Sequence, residues 1–143
     1  MDEEDKSERS FKINIPNRNS TTDWRFLFGN INTLGDYDNR YNDMNWDQMK
    51  YIMDETQPDV LGISEHNRVI SRMKRENRPQ EVMGPWQPRT VCRFSWLKNK
   101  TNTTTYEVGG TGIVTSRKGS THTISSGEDE HGMERWNWVS LQG

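Results

Sequence analysis

Two runs decide the reading of the fold: Phe26-Leu-Phe-Gly-Asn-Ile-Asn-Thr-Leu34 and Gln57-Pro-Asp-Val-Leu-Gly-Ile-Ser-Glu65. Phe26-Leu27-Phe28 is a continuous apolar run closed by Gly29, the pattern of a strand buried on both faces. Asp59-Val-Leu-Gly-Ile-Ser64 is a second strand of the same type. Between them Trp46, Met49, Ile52 and Met53 recur at three- and four-residue steps, giving one apolar stripe along a helix. Asn45 is its expected N-cap, with Gln48 three positions on, and the helix should stop near Thr56, ahead of Pro58. Strand, helix, strand in this order predicts two neighbouring strands in one sheet with the helix packed on a face.

Downstream, a weaker helix is expected from Val69 to about Glu76. Beyond Pro85 the texture changes to short strands at Thr90–Phe94, Gly112–Thr115, His122–Ser125 and Trp136–Leu141, separated by turn-forming residues. In the last strand Trp136 and Trp138 alternate with Asn137, Val139 and Leu141, and the tryptophan pairs read as core. An open edge near Arg135–Leu141 should make the isolated chain prone to self-association. Upstream, residues 1–23 read as a disordered polar tail, with a short extended piece at Phe11–Ile15 its one strand-like feature. The expected class is therefore α/β (α+β), with a mixed sheet carrying helices on one face and a domain over residues 24–143.

Composition bounds the functions open to this chain. The AVILMFWYC set makes up only 29% of the 143 residues, below the usual apolar share even with eleven glycines added. Six tryptophans nevertheless argue for a packed core. With 19 basic and 21 acidic residues the net charge is −2, so no overall basic field exists to hold nucleic acid non-specifically. Cys92 is alone, which excludes an internal disulfide and suits a reducing compartment. No apolar run is long enough to span a bilayer, and Met1-Asp-Glu-Glu-Asp5 is unlike a signal peptide, so an intracellular location, cytoplasm or nucleus, is expected. The glycosylation-type triplets at Asn19, Asn99 and Asn102 then read as chance.

Two polar residues leave the buried strands: Asn30 after the first and Glu65 after the second. Ligands gather at strand ends in α/β sheets, so these side chains should converge on one cleft. A carboxylate there is a hard oxygen ligand suited to Mg²⁺, and an amide orients its neighbours by hydrogen bonds. The plainer alternative stays open, in which Asn30 opens a turn and Glu65 is a solvated loop residue. Arg68, Arg72, Lys74 and Arg75 form a basic cluster that could meet a nucleic-acid backbone or simply line a solvated helix face. Gly109-Gly-Thr-Gly112 lacks a following Lys-Ser/Thr and reads as a turn at a strand start.

The two opening runs resemble the start of the endonuclease/exonuclease/phosphatase superfamily, the deoxyribonuclease I-like fold. Asn30 matches that family's active-site Asn and Glu65 its metal-binding Glu. Gly109-Gly-Thr-Gly-Ile-Val114 resembles the Gly-rich start of a following strand, and Arg135-Trp-Asn-Trp-Val-Ser-Leu141 the next one. The Gly-Gly-Thr-Gly step is most similar to nuclease domains of non-long-terminal-repeat retroelements. The resemblance implies the first half of a four-layer α/β/β/α sandwich, truncated at the C-terminus, from a Mg²⁺-dependent phosphodiester hydrolase acting on DNA or another phosphodiester. Asn32 stands where related enzymes often have Asp, a secondary site position, and Ser64 replaces a common Gln. The family's catalytic Tyr, Asp-x-Asn pair and Ser-Asp-His have no match in this chain, so it is expected to be inactive alone. A non-catalytic remnant that binds nucleic acid or protein, and a small-phosphoester phosphatase of the same fold, are the alternatives.

Overall fold

The computed structural model describes residues 23–35, 43–98, 105–133 and 136–143. The expected tail, apart from Asp23, the extended piece at Phe11–Ile15 and the three glycosylation-type asparagines lie outside these residues. Strands β1 (Phe26–Asn30) and β2 (Val60–Ser64) pair in parallel, with Phe28 beside Gly62 and Asn30 beside Ser64. Parallel strands need a crossover, and helix α1 (Asp43–Thr56) supplies it. This helix starts at Asp43, so Asn45 lies in its first turn and is not the N-cap.

After β2 the chain makes two 3₁₀ turns, Ile70–Arg72 and Arg75–Asn77, where a helix from Val69 to Glu76 was expected. The reason is upstream anchoring. The Val69 N–H donates to the Thr105 carbonyl at 2.9 Å and Arg68 bridges to Tyr106, so this stretch starts pinned to another segment. The regular helix comes later, as α2 (Pro79–Trp86), which the sequence reading missed. Pro79 opens it in the position where proline fits, but Gly84 and Pro85 in its last turn hide the pattern.

Strands β3 (Val91–Ser95) and β4 (Thr111–Thr115) complete a four-stranded mixed sheet in the order β1-β2-β4-β3, with every pairing but the first antiparallel. A short helix α3 (Lys118–Thr121) leads into a hairpin of β5 (Thr123–Glu128) and β6 (Asn137–Leu141), which forms a second, two-stranded sheet. The chain is thus of mixed α/β class, as expected.

Alternation along the strands sorts the four-stranded sheet into two faces. Leu61, Ile63, Val114 and Phe94 face the helices and join Trp46, Met49, Met53 and Met83 in one core. Burying each such side chain contributes about 1.5–3 kcal/mol. Trp46 is fully buried, and its indole N–H donates to the Gly35 carbonyl at 2.8 Å. Ile52 is only half-buried, at the margin of the stripe. The opposite face carries Phe28, Asn30, Ser64, Thr111, Ile113 and Ser95, and the second sheet docks on part of it. Asn137 fixes that docking, donating to the Arg93 carbonyl at 2.7 Å and accepting from the Thr111 hydroxyl at 3.1 Å. Trp136 and Trp138 consequently point away and remain 44% and 42% exposed, which corrects their reading as core.

Candidate functional site

The strand ends are where the two sequence-derived residues meet. Asn30 Nδ2 donates to Glu65 Oε2 at 2.7 Å, and Asn30 Oδ1 accepts the backbone N–H of Asn32 at 2.9 Å. Both functional ends of the amide are occupied, so its orientation is set: oxygen toward the backbone, nitrogen toward the carboxylate. Asn32 therefore contributes its backbone to the arrangement. Both Asn30 and Glu65 are exposed. Asn30 lies on the rim of an apolar pocket of about 350 Å³ shared with Leu27, Ile31, Met49 and Ile52. The pair thus sits on a rim at the strand ends rather than deep in a cleft.

The backbone around the pair is strained. Asn32, Thr33, Glu65 and Asn67 all have positive φ, at 43°, 81°, 56° and 57°. Asparagine tolerates this region, but a β-branched Thr and a Glu do so at a cost of about 1–2 kcal/mol each. Such strain persists only where the surroundings over-determine it, and it concentrates at functional sites. Here the clamps are visible. The Thr33 and Leu34 N–H groups donate to the Glu65 and His66 carbonyls at 2.9 and 2.8 Å. On the other side the Glu65 and Asn67 N–H groups donate to the Gly110 and Gly109 carbonyls at 2.9 and 2.8 Å. The segment 65–67 is stitched between the exit of β1 and the entry of β4.

Asn67 was not singled out by the sequence, yet it ties three segments together. Its Nδ2 donates to the Thr33 hydroxyl at 2.9 Å and its Oδ1 accepts the Gly109 N–H at 2.7 Å. The only sequence signal was its position two residues beyond Glu65. This also settles the role of Gly109 and Gly110, which have φ of 106° and 85°. They make the expected turn at a strand start. At Gly110 an added Cβ would lie 2.2 Å from the His66 ring, so glycine is required there.

His66 stands directly behind Glu65 and is fully buried. Its Nδ1 accepts the Arg68 backbone N–H at 3.1 Å, and its Nε2 lies 2.6 Å from the Ser95 carbonyl, which assigns the proton to Nε2. The ring stacks on Phe94 at 5.3 Å between centroids. Burial holds its pKa below the ordinary 6.5; the Ser95 carbonyl opposes this and the Arg68 charge adds to it. With both nitrogens engaged, His66 is a structural member of the site and not a proton carrier. His122 lies at the opposite end of β1, edge-on to Trp24.

Arg68 is withdrawn from the basic cluster into the interior. Arg68 is only 6% exposed, and its Nε donates to the Leu34 carbonyl at 2.6 Å, so it is a buried brace. Arg72 is half-buried, whereas Lys74 and Arg75 are exposed, and Arg75 pairs with Glu81 at 3.4 Å. The segment that carries Arg72 and Arg75 is two 3₁₀ turns and not the single helix expected.

Among the described residues no group of three or more His, Cys, Asp or Glu comes together to enclose a metal. What the rim offers is one exposed carboxylate whose neighbouring amide is locked in place. That donor set fits a largely hydrated Mg²⁺, which takes one or two protein carboxylates and keeps its waters. No helix of the described residues is long and apolar enough to cross a membrane, and Cys92 is a free thiol. Neither a family model nor a curated protein matches the chain.

Proposed function

We propose that this chain carries one wall of a Mg²⁺-dependent phosphodiester-hydrolase site, of the endonuclease type, with DNA or another phosphodiester as substrate. The observation that carries the reading is the 2.7 Å bond from Asn30 to Glu65 across the ends of two parallel strands. Glu65 is the group to hold the hydrated cation. Asn30 holds that carboxylate in a fixed direction, and the Asn32 N–H holds Asn30. When bound, Mg²⁺ supplies charge to polarise a phosphoryl oxygen.

Hydrolysis also needs a base for water and further stabilisation of charge on the transferred group. His66 is committed to Arg68 and Ser95, and His122 sits at the far end of the sheet. Neither His66 nor His122 is therefore placed to activate water beside Glu65, and no substrate turnover is expected from the described residues. A non-catalytic binding role is favoured by the same observation, although the scattered basic residues speak against strong nucleic-acid binding.

The test is a Mg²⁺ titration of isotope-labelled chain followed by amide NMR, beside nicking of supercoiled DNA. Shifts confined to Asn30, Asn32 and Glu65, absent in Glu65→Gln, with no nicking by either protein, are expected. An unresponsive site would remove the metal reading. Mg²⁺-dependent nicking lost in Glu65→Gln would show that residues of this chain do activate water.

A further inference from the structure

Asn67 is a polar residue only 5% exposed, and it is bonded from both its backbone and its side chain. Its N–H donates to the Gly109 carbonyl at 2.8 Å, and its carbonyl accepts from the Glu107 N–H at 3.1 Å. Its side chain spans the gap between two segments: Oδ1 accepts the Gly109 N–H at 2.7 Å and Nδ2 donates to the Thr33 hydroxyl at 2.9 Å. The position is demanding. Its φ of 57° is one that Asn, Asp and Gly tolerate and most side chains do not. Of these three, only Asn presents a donor and an acceptor on one short planar group at neutral pH.

We propose that Asn67 is the positioning residue of the Asn30–Glu65 pair, fixing the direction in which the Glu65 carboxylate is presented. Its consequence for cation affinity rests on the function proposed above; the positioning itself does not. Glu65 lies two residues before Asn67, and Asn30 three residues before Thr33. The bond from Asn67 to Thr33 therefore joins the loop that carries the carboxylate to the loop that carries its amide partner. Backbone bonds also hold segment 65–67, to Thr33 and Leu34 on one side and to Gly109 and Gly110 on the other. The Asn67 amide differs from them. One rigid plane bonds Thr33 and Gly109 at once, so its size sets the spacing of the two segments between which Glu65 stands. Thr33 and Glu65, with φ of 81° and 56°, are strained for their residue types, and strain of this kind persists only while the surroundings enforce it. Without the brace both residues relax and Glu65 turns from Asn30. Outer partners that aim a metal-binding side chain are typically worth about 10–100-fold in metal affinity.

Amide NMR of the full isotope-labelled chain, before and during a Mg²⁺ titration, tests this. The Asn30 side-chain amide protons report the bond to Glu65 with no metal present. Two variants remove the brace: Asn67→Gly, which keeps the left-handed backbone, and Thr33→Val, which keeps the β-branch and loses the hydroxyl. In each the Asn30 signal should move to the position of a solvated amide, and Mg²⁺ affinity at Glu65 should fall about tenfold. Thr33→Ser, which keeps the hydroxyl, should retain both. Ser116→Ala controls for lost stability. It removes a buried hydrogen bond to the Pro58 carbonyl at the opposite end of the sheet and should change neither readout. An Asn30 signal that stays in place in Asn67→Gly and Thr33→Val would overturn the proposal. Equal movement in Ser116→Ala would overturn it too, by reducing the effect to general loosening of the fold. Movement of the Asn30 signal in Asn67→Gly, with Mg²⁺ bound by none of the proteins, would strike the metal reading and leave the positioning standing.

Discussion

Asn30 Nδ2 donates to Glu65 Oε2 at 2.7 Å, and the two residues close neighbouring parallel strands of a sheet built around Trp46 and Met53. The bond links residues 35 positions apart. It exists because β1 and β2 lie in parallel register, with Asn30 beside Ser64, so that the residue after β2 turns over the end of β1. That turn is made in a left-handed conformation.

Glu65 adopts φ of 56°, which a glycine adopts without penalty. If the strain is retained for the sake of the carboxylate, Glu65→Gly should stabilise the fold while removing the site. A gain of about 1 kcal/mol is expected, read as a rise in urea midpoint at constant slope. Glu65→Gln should leave the midpoint nearly unchanged, since the backbone stays strained and the side chain keeps its length. A midpoint that falls in Glu65→Gly would show that the carboxylate stabilises the fold and that the strain carries no functional meaning.

His66 makes stability depend on pH in a defined direction. Burial lowers its folded pKa below the ordinary 6.5, so the fold favours the neutral ring. The contribution is fully present above pH 6.5 and is lost as pH falls from there through the folded value. Protonation would put a second proton where Nδ1 accepts the Arg68 N–H. Unfolding free energy should therefore drop on acidification below pH 6.5, with a limiting slope of about 1.4 kcal/mol per pH unit. In His66→Gln that portion of the slope should disappear, whatever the absolute stability of the variant. An unchanged slope would show that other groups carry it.

The sequence made the strand–helix–strand frame legible because its signals are local: two unbroken apolar runs and one stripe at helical spacing, although the first run, read as buried on both faces, leaves Phe26 and Phe28 51% and 77% exposed. It also put Asn30 and Glu65 at matching strand ends, and register then brought them together. What it hid depends on contacts distant in the chain. The segment after Val69 carries a helix-like pattern, but the Thr105 carbonyl takes the Val69 N–H and holds the chain in 3₁₀ turns. Arg68 looked like a surface charge until Leu34 was folded over it. Asn67 has no pattern at all; its role appears only when Thr33 and Gly109 converge on it. Trp136 and Trp138 have the alternation of a strand, which says that they share a face but not which face is covered.

Cys92 should be inert in the folded chain. Burial raises its thiol to about 12, with the Arg93 charge opposing slightly, so roughly one molecule in 10⁵ is thiolate at neutral pH. Alkylation by iodoacetamide, followed by mass spectrometry, should be slow in buffer and fast in denaturant. Rapid labelling of the native protein would mean that β3 opens locally.

The tightest backbone approach lies under the other end of the sheet and supplies the sharpest stability test. Asp59 just precedes β2, and its carbonyl accepts the Ser116 N–H at 3.0 Å while its Oδ2 accepts the Arg25 N–H at 2.8 Å. Ser116 in turn donates its hydroxyl to the Pro58 carbonyl at 2.6 Å. These bonds hold the start of β2 against the end of β4, and α3 presses on the junction through Gly119. A Cβ at Gly119 would stand 1.9 Å from the Asp59 carbonyl oxygen, a backbone atom that cannot rotate away. In an ordinary exposed helix Gly→Ala stabilises by up to about 1 kcal/mol. Here the sign should reverse: Gly119→Ala should destabilise by about 1–3 kcal/mol, since backbone must shift to accept it. Gly84→Ala, in α2, is the control; its Cβ would meet no backbone, only the Gln80 side-chain amide at 3.0 Å, which a few tenths of an ångström of movement would clear. Urea unfolding of the two variants side by side decides the matter, and equal midpoints would show that α3 is free to move off Asp59.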